Sequence, residues 1–276
     1  MAIMHSNTES LLYTTVRIEG QLSNGGSTVG TGFFFLRGSK IFVVTNKHVI
    51  NDVKIGYFFI NNTDQEDESK PTNEKISLSF NENDFIGHPD PSVDVAIANV
   101  SGGFNELYER GFSPFYSRTM EETIPTQDQV DEHINAIEEI VFVGYPSGIW
   151  DSVNNLPIVR KGITATPYYM DFMGEKQFLI DASVFPGSSG SPVFAYRSGS
   201  YANREGRVFN GEKIFLLGII ARVYHRLEEG QIIIKDIPTN QMPISEFKQM
   251  IDLGIVYKSC TIIETIDYYL NSRGLT

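Results

Sequence analysis

The sequence has very little cysteine and no long apolar run. Cys260 is the single cysteine among 276 residues, so no internal disulfide can form, and the disulfide-stapled design of many secreted enzymes is excluded. No apolar run approaches the roughly 18 residues of a membrane span, and no basic segment followed by an apolar one stands at the start. We therefore expect a cytoplasmic protein without a membrane partner.

Basic residues are scarce as well. The chain has 22 lysines and arginines against 34 aspartates and glutamates, a formal net charge of −12 at pH 7. Proteins that bind nucleic acid usually present a basic surface. The balance therefore predicts no nucleic-acid partner, and no metal ion or organic cofactor is expected either.

What the sequence does contain is many short runs of β-branched and aromatic residues, separated by turns rich in glycine, proline and polar residues. This pattern predicts an all-β protein. Predicted strands cover 11–19, 29–36, 41–50, 76–80, 93–97, 141–146, 158–165, 213–224 and 231–237. Residues 245–253 and 259–270 instead have an apolar spacing near 3.6, and Ser245 suits an N-cap, so 244–276 is predicted to be a helical segment.

A serine lies in a glycine-rich turn within residues 181–194, between two apolar runs. Glycines beside Ser189 would let the backbone approach a ligand closely, and the N–H groups of Gly187 and Ser189, on either side of Ser188, could stabilise an oxyanion. Ser189 is therefore a candidate nucleophile. Serine and glycine also dominate ordinary surface turns, so this motif alone leaves both interpretations open.

Two further residues have the chemistry that such a nucleophile needs. His48 ends an apolar strand, and its ordinary pKa suits base catalysis near neutrality, although histidines in this setting are often structural. Asp94 interrupts another apolar strand, where a carboxylate is costly to bury unless it is paired. We assign it an imidazole partner. Nearby Asp90 is interpreted as part of an exposed turn and His88 as a loop residue.

The chain order His48, Asp94, Ser189 is that of the two-barrel chymotrypsin group and not that of the α/β-hydrolases. Six segments together resemble the trypsin-like serine peptidases, especially the disulfide-free bacterial branch that includes the HtrA-type enzymes. In order, these segments are Gly30-Thr-Gly-Phe33, Thr45-Asn-Lys-His-Val49, Val93-Asp-Val-Ala-Ile97, Gly144-Tyr-Pro146, Arg160-Lys-Gly162 and Asp181-Ala-Ser-Val-Phe-Pro-Gly-Ser-Ser-Gly-Ser-Pro192.

The resemblance implies a fold and a division of the chain. Residues 1–276 would form one peptidase unit with two six-stranded antiparallel β-barrels and a short C-terminal helix. The first barrel, about 10–110, would supply the histidine and the aspartate, and the second, about 140–243, the serine. The active site would lie between the barrels.

The resemblance also implies roles. Ser189 would attack a peptide carbonyl, His48 would transfer protons and Asp94 would orient the imidazole. The oxyanion hole would be formed by the N–H groups of Gly187 and Ser189, together with Ser188 between them. Two positions depart from the family pattern. Ser188 replaces the aspartate that pairs with a freed N-terminus in the digestive enzymes, so activation of that kind is not expected, and Ser191 replaces a glycine, which requires φ below zero.

The resemblance also indicates where the substrate pocket would lie. By the same resemblance it would be formed by Ser183, Val184, Gly218, Ile219 and Ile220, with Ala221 next on the same strand. An uncharged substrate side chain is expected there. The favoured hypothesis is an intracellular serine endopeptidase that acts on protein or peptide substrates. A catalytically silent binding or scaffold module is the alternative, and a peptidase gated by a regulatory protein partner or by oligomerisation is a third.

Overall fold

The computed structural model describes residues 6–146, 149–231 and 244–275. The strands are β1 Thr15–Leu22, β2 Ser27–Arg37, β3 Lys40–Thr45, β4 Val53–Thr63, β5 Pro71–Phe80, β6 Ile86–Gly87, β7 Ala96–Asn99, β8 Pro114–Phe115, β9 Thr119–Met120, β10 Glu139–Gly144, β11 Ile158–Thr164, β12 Gln177–Asp181, β13 Pro192–Ala202, β14 Val208–Gln231 and β15 Ile244–Lys258. The helices are α1 Asn7–Leu12, α2 Lys47–Ile50, α3 Ser101–Glu109, α4 Gln127–His133 and α5 Cys260–Ser272. In these ranges no helix has the length and apolar character needed to cross a membrane.

Strands β1 to β9 form the first sheet. Its order is β5-β4-β1-β2-β3-β7-β6, with β8 added to β4 and β9 to β2. The prediction of a closed six-stranded barrel here is wrong, because the path of seven strands is open and the sheet has nine strands in all. The segment after β7 folds mainly into α3, α4 and the two-residue strands β8 and β9, so it provides no long strand to close the ring.

Strands β10 to β15 form the second sheet, a closed barrel in the order β10-β11-β12-β15-β14-β13. Each neighbouring pair is antiparallel. The six-stranded second barrel predicted from the sequence is therefore confirmed. Its interior is filled by apolar side chains that include Phe142, Phe178 and Val193.

A shared core joins the two sheets. On β2 the side chains alternate between two cores, because Phe33 and Phe35 face the barrel and Phe34 faces the interior of the first sheet. This explains why the strand is apolar at every position in this stretch. From the other side, Phe194 and Ile219 of the barrel enter the same shared core. Burying each such side chain contributes about 1.5–3 kcal/mol, so the two sheets are held firmly together.

The C-terminal part contains one correct prediction and one error. A C-terminal helix is present, but α5 begins at Cys260, and the helix predicted over 245–253 is wrong because β15 occupies Ile244–Lys258. Pairing with β14 on one side and β12 on the other outweighs the helix-like local spacing. The strand predicted over 231–237 lies, beyond Gln231, outside the described residues.

Candidate active site

His48 and Asp94 are brought together by the pairing of β3 with β7. The register sets Thr45 of β3 opposite Ala96 of β7. The residues that follow β3 therefore lie beside the residues that precede β7. His48 sits in the single-turn helix α2 immediately after β3, and Asp94 lies just before β7. Two segments separated by more than forty residues in the chain thus meet where β3 ends and β7 begins.

The two side chains are in direct contact. His48 Nδ1 lies 2.6 Å from Asp94 Oδ2, and the His48 backbone N–H donates to Asp94 Oδ1 at 3.2 Å. Asp94 is 6% exposed, whereas the His48 side chain is 48% exposed. Burial alone would raise the pKa of the Asp94 carboxyl, but the hydrogen bonds and charge of His48 outweigh it and hold that pKa below its ordinary value. The arrangement is an oriented imidazole supported by a carboxylate.

Residues 185–191, which we call the serine turn, connect β12 to β13. Gly187 and Gly190 have φ values of +88° and +89°, in the region that favours glycine. The turn is tight because the Ser191 N–H donates to Ser188 O at 3.0 Å. Within the described parts of the chain, no acceptor binds the N–H of Gly187 or of Ser189. Neither amide is thus committed to an acceptor among the described residues, although Gly187 itself is buried.

The Ser189 hydroxyl donates to the carbonyl oxygen of Ala221, with an Oγ to O distance of 3.3 Å. Ala221 also lines a cleft of about 470 Å³ that contains His48 and Asp94. The structure thus places His48 and Asp94 in contact in this cleft, and it connects Ser189 to the cleft through the carbonyl of Ala221. The serine hydroxyl is directed toward Ala221 in this conformation.

Four lining residues of the cleft carried no role in the sequence-based prediction: Lys47, Asn51, Pro91 and Arg222. Lys47 Nζ donates to Asp90 O at 2.9 Å, and burial lowers the pKa of this lysine against the opposing effect of nearby carboxylates. The spacing of Lys47 and Asn51, four residues apart around His48, is the sequence signal that could have placed them on one side of a helical turn. Arg222 follows Ala221 on β14 and is exposed.

Most of the residues predicted for the substrate pocket are buried. Ile219 and Ile220 are 0% exposed and point into the shared core and the barrel core, and Val184 is also buried in the barrel. Gly218 is where β14 and β15 approach closely, since a Cβ there would lie 2.0 Å from Tyr257 O. Ser183 is partly exposed. None of these five is among the described residues that line the cleft.

The other reactive side chains have local partners. His88 lies in a loop, as the sequence predicts, where it is 8% exposed and contacts Glu264 Oε2 of α5 at 3.2 Å. Burial and the nearby Glu264 carboxylate raise the pKa of the Cys260 thiol, so it is mainly protonated at neutral pH. Among the described residues, no group of three His, Cys, Asp or Glu side chains is arranged to hold a metal ion.

Comparison with known proteins gives three results. The sequence pattern of the trypsin-like peptidase domain matches residues 30–201, more than half of the chain. A search of curated protein sequences gave no match. Among solved structures, the fold is similar to that of the HtrA-type protease AlgW with a tripeptide, at 12% identity and a TM-score of 0.50. It is also similar to a serine endoprotease from Yersinia pestis, at 15% identity and a TM-score of 0.50.

The matched regions cover nearly all of this chain and a smaller part of each neighbour. The AlgW comparison covers 95% of this chain and 62% of the other protein. For the Yersinia pestis protein the values are 96% and 65%. The chain therefore spans less than two thirds of the length of either neighbour, and at these identities the similarity concerns the fold.

Proposed function

Because the chain belongs to the trypsin-like peptidase family, we propose that it is a serine endopeptidase. The observation that carries the proposal is the 2.6 Å contact between His48 Nδ1 and Asp94 Oδ2, in the cleft where the Ser189 hydroxyl also has its acceptor. An exposed imidazole held by a buried carboxylate is the arrangement that activates a hydroxyl nucleophile.

In the proposed reaction, the Ser189 hydroxyl leaves Ala221 O by rotation about χ1 and donates to Nε2 of His48. Ser189 Oγ then attacks the peptide carbonyl carbon while the proton moves to His48, which later gives it to the leaving amine. Water hydrolyses the resulting acyl-enzyme by the same steps. The N–H groups of Gly187 and Ser189 would bind the oxyanion, and such donors contribute roughly 2.7–4 kcal/mol each to the transition state.

Protein or peptide substrates fit this chemistry. The cleft beside His48 is open, and the similar fold of AlgW was solved with a tripeptide. Of the residues predicted for the substrate pocket, Ser183 keeps partial exposure. We retain the proposal that the preferred substrate side chain is uncharged, and Ser183 is the pocket residue that such a side chain could reach.

A fluorophosphonate probe tests the proposal, because it phosphylates only an activated serine. We expect labelling of the pure protein at Ser189, mapped by mass spectrometry, and its loss in Ser189→Ala and His48→Ala. His88→Gln is the matched control, since His88 bonds Glu264 and the Asp90 amide outside the cleft. Labelling that is unchanged in Ser189→Ala would refute the assigned nucleophile.

A catalytically silent module remains the second candidate, and one observation favours it: Ser189 Oγ is bonded to Ala221 O and not to His48. In resting peptidases the catalytic hydrogen bonds are often loose and tighten only with substrate. Absence of labelling at any pH between 6 and 9, in a protein that remains folded, would support the silent module.

Regulation of the activity is a separate proposal. A peptidase free in the cytoplasm, where we propose this protein resides, must not degrade its surroundings, so a regulatory protein partner or a change of oligomeric state would gate it. The rate of casein cleavage is measured for the pure protein and for the protein in host lysate, which would contain the regulatory partner. A rate at least about tenfold higher in lysate is expected, and equal rates would count against gating.

A further inference from the structure

Thr31 of β2 is 0% exposed and bridges the first sheet and the serine turn. Its backbone N–H donates to Ser189 O at 2.9 Å, and its hydroxyl donates to Gly187 O at 2.9 Å. The same hydroxyl accepts the N–H of Tyr145 at 2.9 Å, and the Thr31 carbonyl accepts the Thr45 hydroxyl at 2.8 Å. One residue therefore holds the carbonyl groups of both residues whose N–H groups would form the oxyanion hole.

The serine turn depends on these bonds for its orientation. Gly187 has no Cβ and a φ of +88°, so sterics alone allow many directions for the peptide group between Gly187 and Ser188. A hydrogen bond to its carbonyl oxygen restricts that freedom. The contact is also close-packed, since a Cβ on Gly190 would lie 1.8 Å from Thr31 O. The turn is therefore seated directly on β2.

The second carbonyl is held from both sides of its peptide group. Thr31 N–H binds Ser189 O, and the N–H of Gly190, in the same peptide, donates to Ile220 O at 2.8 Å. The first of these partners belongs to the sheet that carries His48 and Asp94, and the second belongs to the barrel. The nucleophile is thus fixed relative to both halves of the site.

We propose that Thr31 is a positioning residue for the oxyanion hole, acting through the carbonyl groups of Gly187 and Ser189. It touches neither the substrate nor the reacting atoms. This inference rests on the proposed peptidase function. A donor that is turned away from the oxyanion is equivalent to a lost donor, which costs about 10²–10³ in kcat in related chemistry.

Three variants separate positioning from general stability. Thr31→Val keeps the β-branched shape and the backbone N–H but removes the hydroxyl as donor and acceptor, and Thr31→Ser restores it. Thr119→Val is the matched control: its hydroxyl is buried on β9, donates to Phe34 O of the same strand β2 at 3.0 Å, and does not contact the serine turn. Thr31→Ala makes the same comparison if Thr31→Val is insoluble.

Hydrolysis of p-nitrophenyl acetate is measured first, because this ester needs no specificity pocket. For Thr31→Val we expect kcat to fall by about 10²–10³-fold with KM within about threefold, and Thr31→Ser to stay within about fivefold of wild type in kcat. Thr119→Val should keep kcat within about twofold while its urea midpoint falls as far as that of Thr31→Val. The inference would be overturned if kcat fell equally in Thr31→Val and Thr119→Val, or if Thr31→Val kept full activity. It would also be overturned if the kcat of Thr31→Ser were as low as that of Thr31→Val.

Hydrogen exchange measured by mass spectrometry tests the contact without catalysis. Peptides that cover 185–191 should exchange at least about tenfold faster in Thr31→Val than in wild type or Thr119→Val, because one hydrogen bond is commonly worth about that factor. If wild type neither hydrolyses the ester nor reacts with the fluorophosphonate, the peptidase proposal fails, and this exchange result alone decides whether Thr31 positions the turn. Unchanged exchange in Thr31→Val overturns the inference whether or not the protein is active.

Discussion

Asp94 shows how a single buried carboxylate is stabilised just before an apolar strand. The cost of burying its charge predicts a partner, and the structure has His48 Nδ1 at 2.6 Å. The contact between His48 and Asp94 could be predicted because a carboxylate is unusual in such an apolar stretch. The residues that line the cleft around them are ordinary in sequence, as Pro91 and Arg222 are, and only the tertiary structure brings them together.

Replacing Asp94 should change the response of the protein to acid. Its carboxyl pKa is lowered in the folded state, so the charged form adds stability at neutral pH, and this contribution is lost as pH falls from about 4 through the lowered pKa. Asp94→Asn lacks that contribution. Urea midpoints measured from pH 7 to pH 2.5 should therefore fall less steeply below about pH 4 in Asp94→Asn than in wild type, and parallel curves would contradict the assignment.

Ser191 is the second residue whose setting was partly predictable. It is not among the described non-glycine residues with positive φ, as its fit to the family pattern requires. Its hydroxyl is buried without a hydrogen-bond partner. The space for it comes from Gly144 at the end of β10, where an added Cβ would lie 2.0 Å from Ser191 Oγ. The sequence could not show this, because nothing in it gives the distance between positions 144 and 191.

A double-mutant cycle tests that contact. Gly144→Ala should lower the free energy of unfolding by about 1–3 kcal/mol, as overpacking does in a close contact. Ser191→Gly in the same chain should restore at least about half of the loss, although the Thr31 hydroxyl remains 2.8 Å from the new Cβ. The measurement is urea unfolding of the four proteins, and additive effects would rule out the contact as the cause.

Among the elements, β15 and α5 show that similar local spacing can form either a strand or a helix. The spacing near 3.6 is the same in 245–253 and in 259–270, but only the second forms a helix. The first lies between β12 and β14, and completing the barrel requires a strand there. Pairing between strands that are far apart in the chain leaves no mark on the local spacing of apolar residues. The spacing alone therefore favours a helix where the structure has a strand.

Helix α5 should contribute strongly to stability through one face. Ile266 is fully buried in the shared core, whereas Tyr268 on the same helix is 47% exposed. Ile266→Ala should lower the free energy of unfolding by about 2–5 kcal/mol. Tyr268→Ala, the control, should lower it by less than about 1 kcal/mol. Equal losses in urea titrations would show that α5 is not anchored through this face.

For the molecule as a whole, the two sheets share one core, and this predicts how the protein unfolds. Trp150 is the single tryptophan. It belongs to the segment between β10 and β11 of the barrel, yet the Arg17 guanidinium of the first sheet lies 4.3 Å from its ring centroid. Its fluorescence therefore reports contact between the halves. The fold class was predictable from the periodicity of short strands, but this dependence of one half on the other was not.

Unfolding should be a single transition. Trp150 fluorescence and far-ultraviolet circular dichroism, followed in urea, should give midpoints that agree within about 0.2 M, as expected for a two-state change. Two separated transitions, with the fluorescence change first, would mean that the halves part before either one unfolds. Arg17→Ala together with Lys75→Ala offers a check, since the Lys75 Nζ also lies 5.2 Å from the Trp150 ring centroid and both contacts must be removed.

The contact of the serine turn with β2 restricts which chimaeric proteins can be made from this chain. Thr31 comes from one half of the chain, whereas Gly144, Tyr145 and Gly190 come from the other, and all four fit within hydrogen-bond or van der Waals distance. A chimaera that exchanges one half for that of a distant homologue would separate this set. Transplanting the four residues as a unit is therefore the design rule for hybrids in which the nucleophile is to stay aligned with the base.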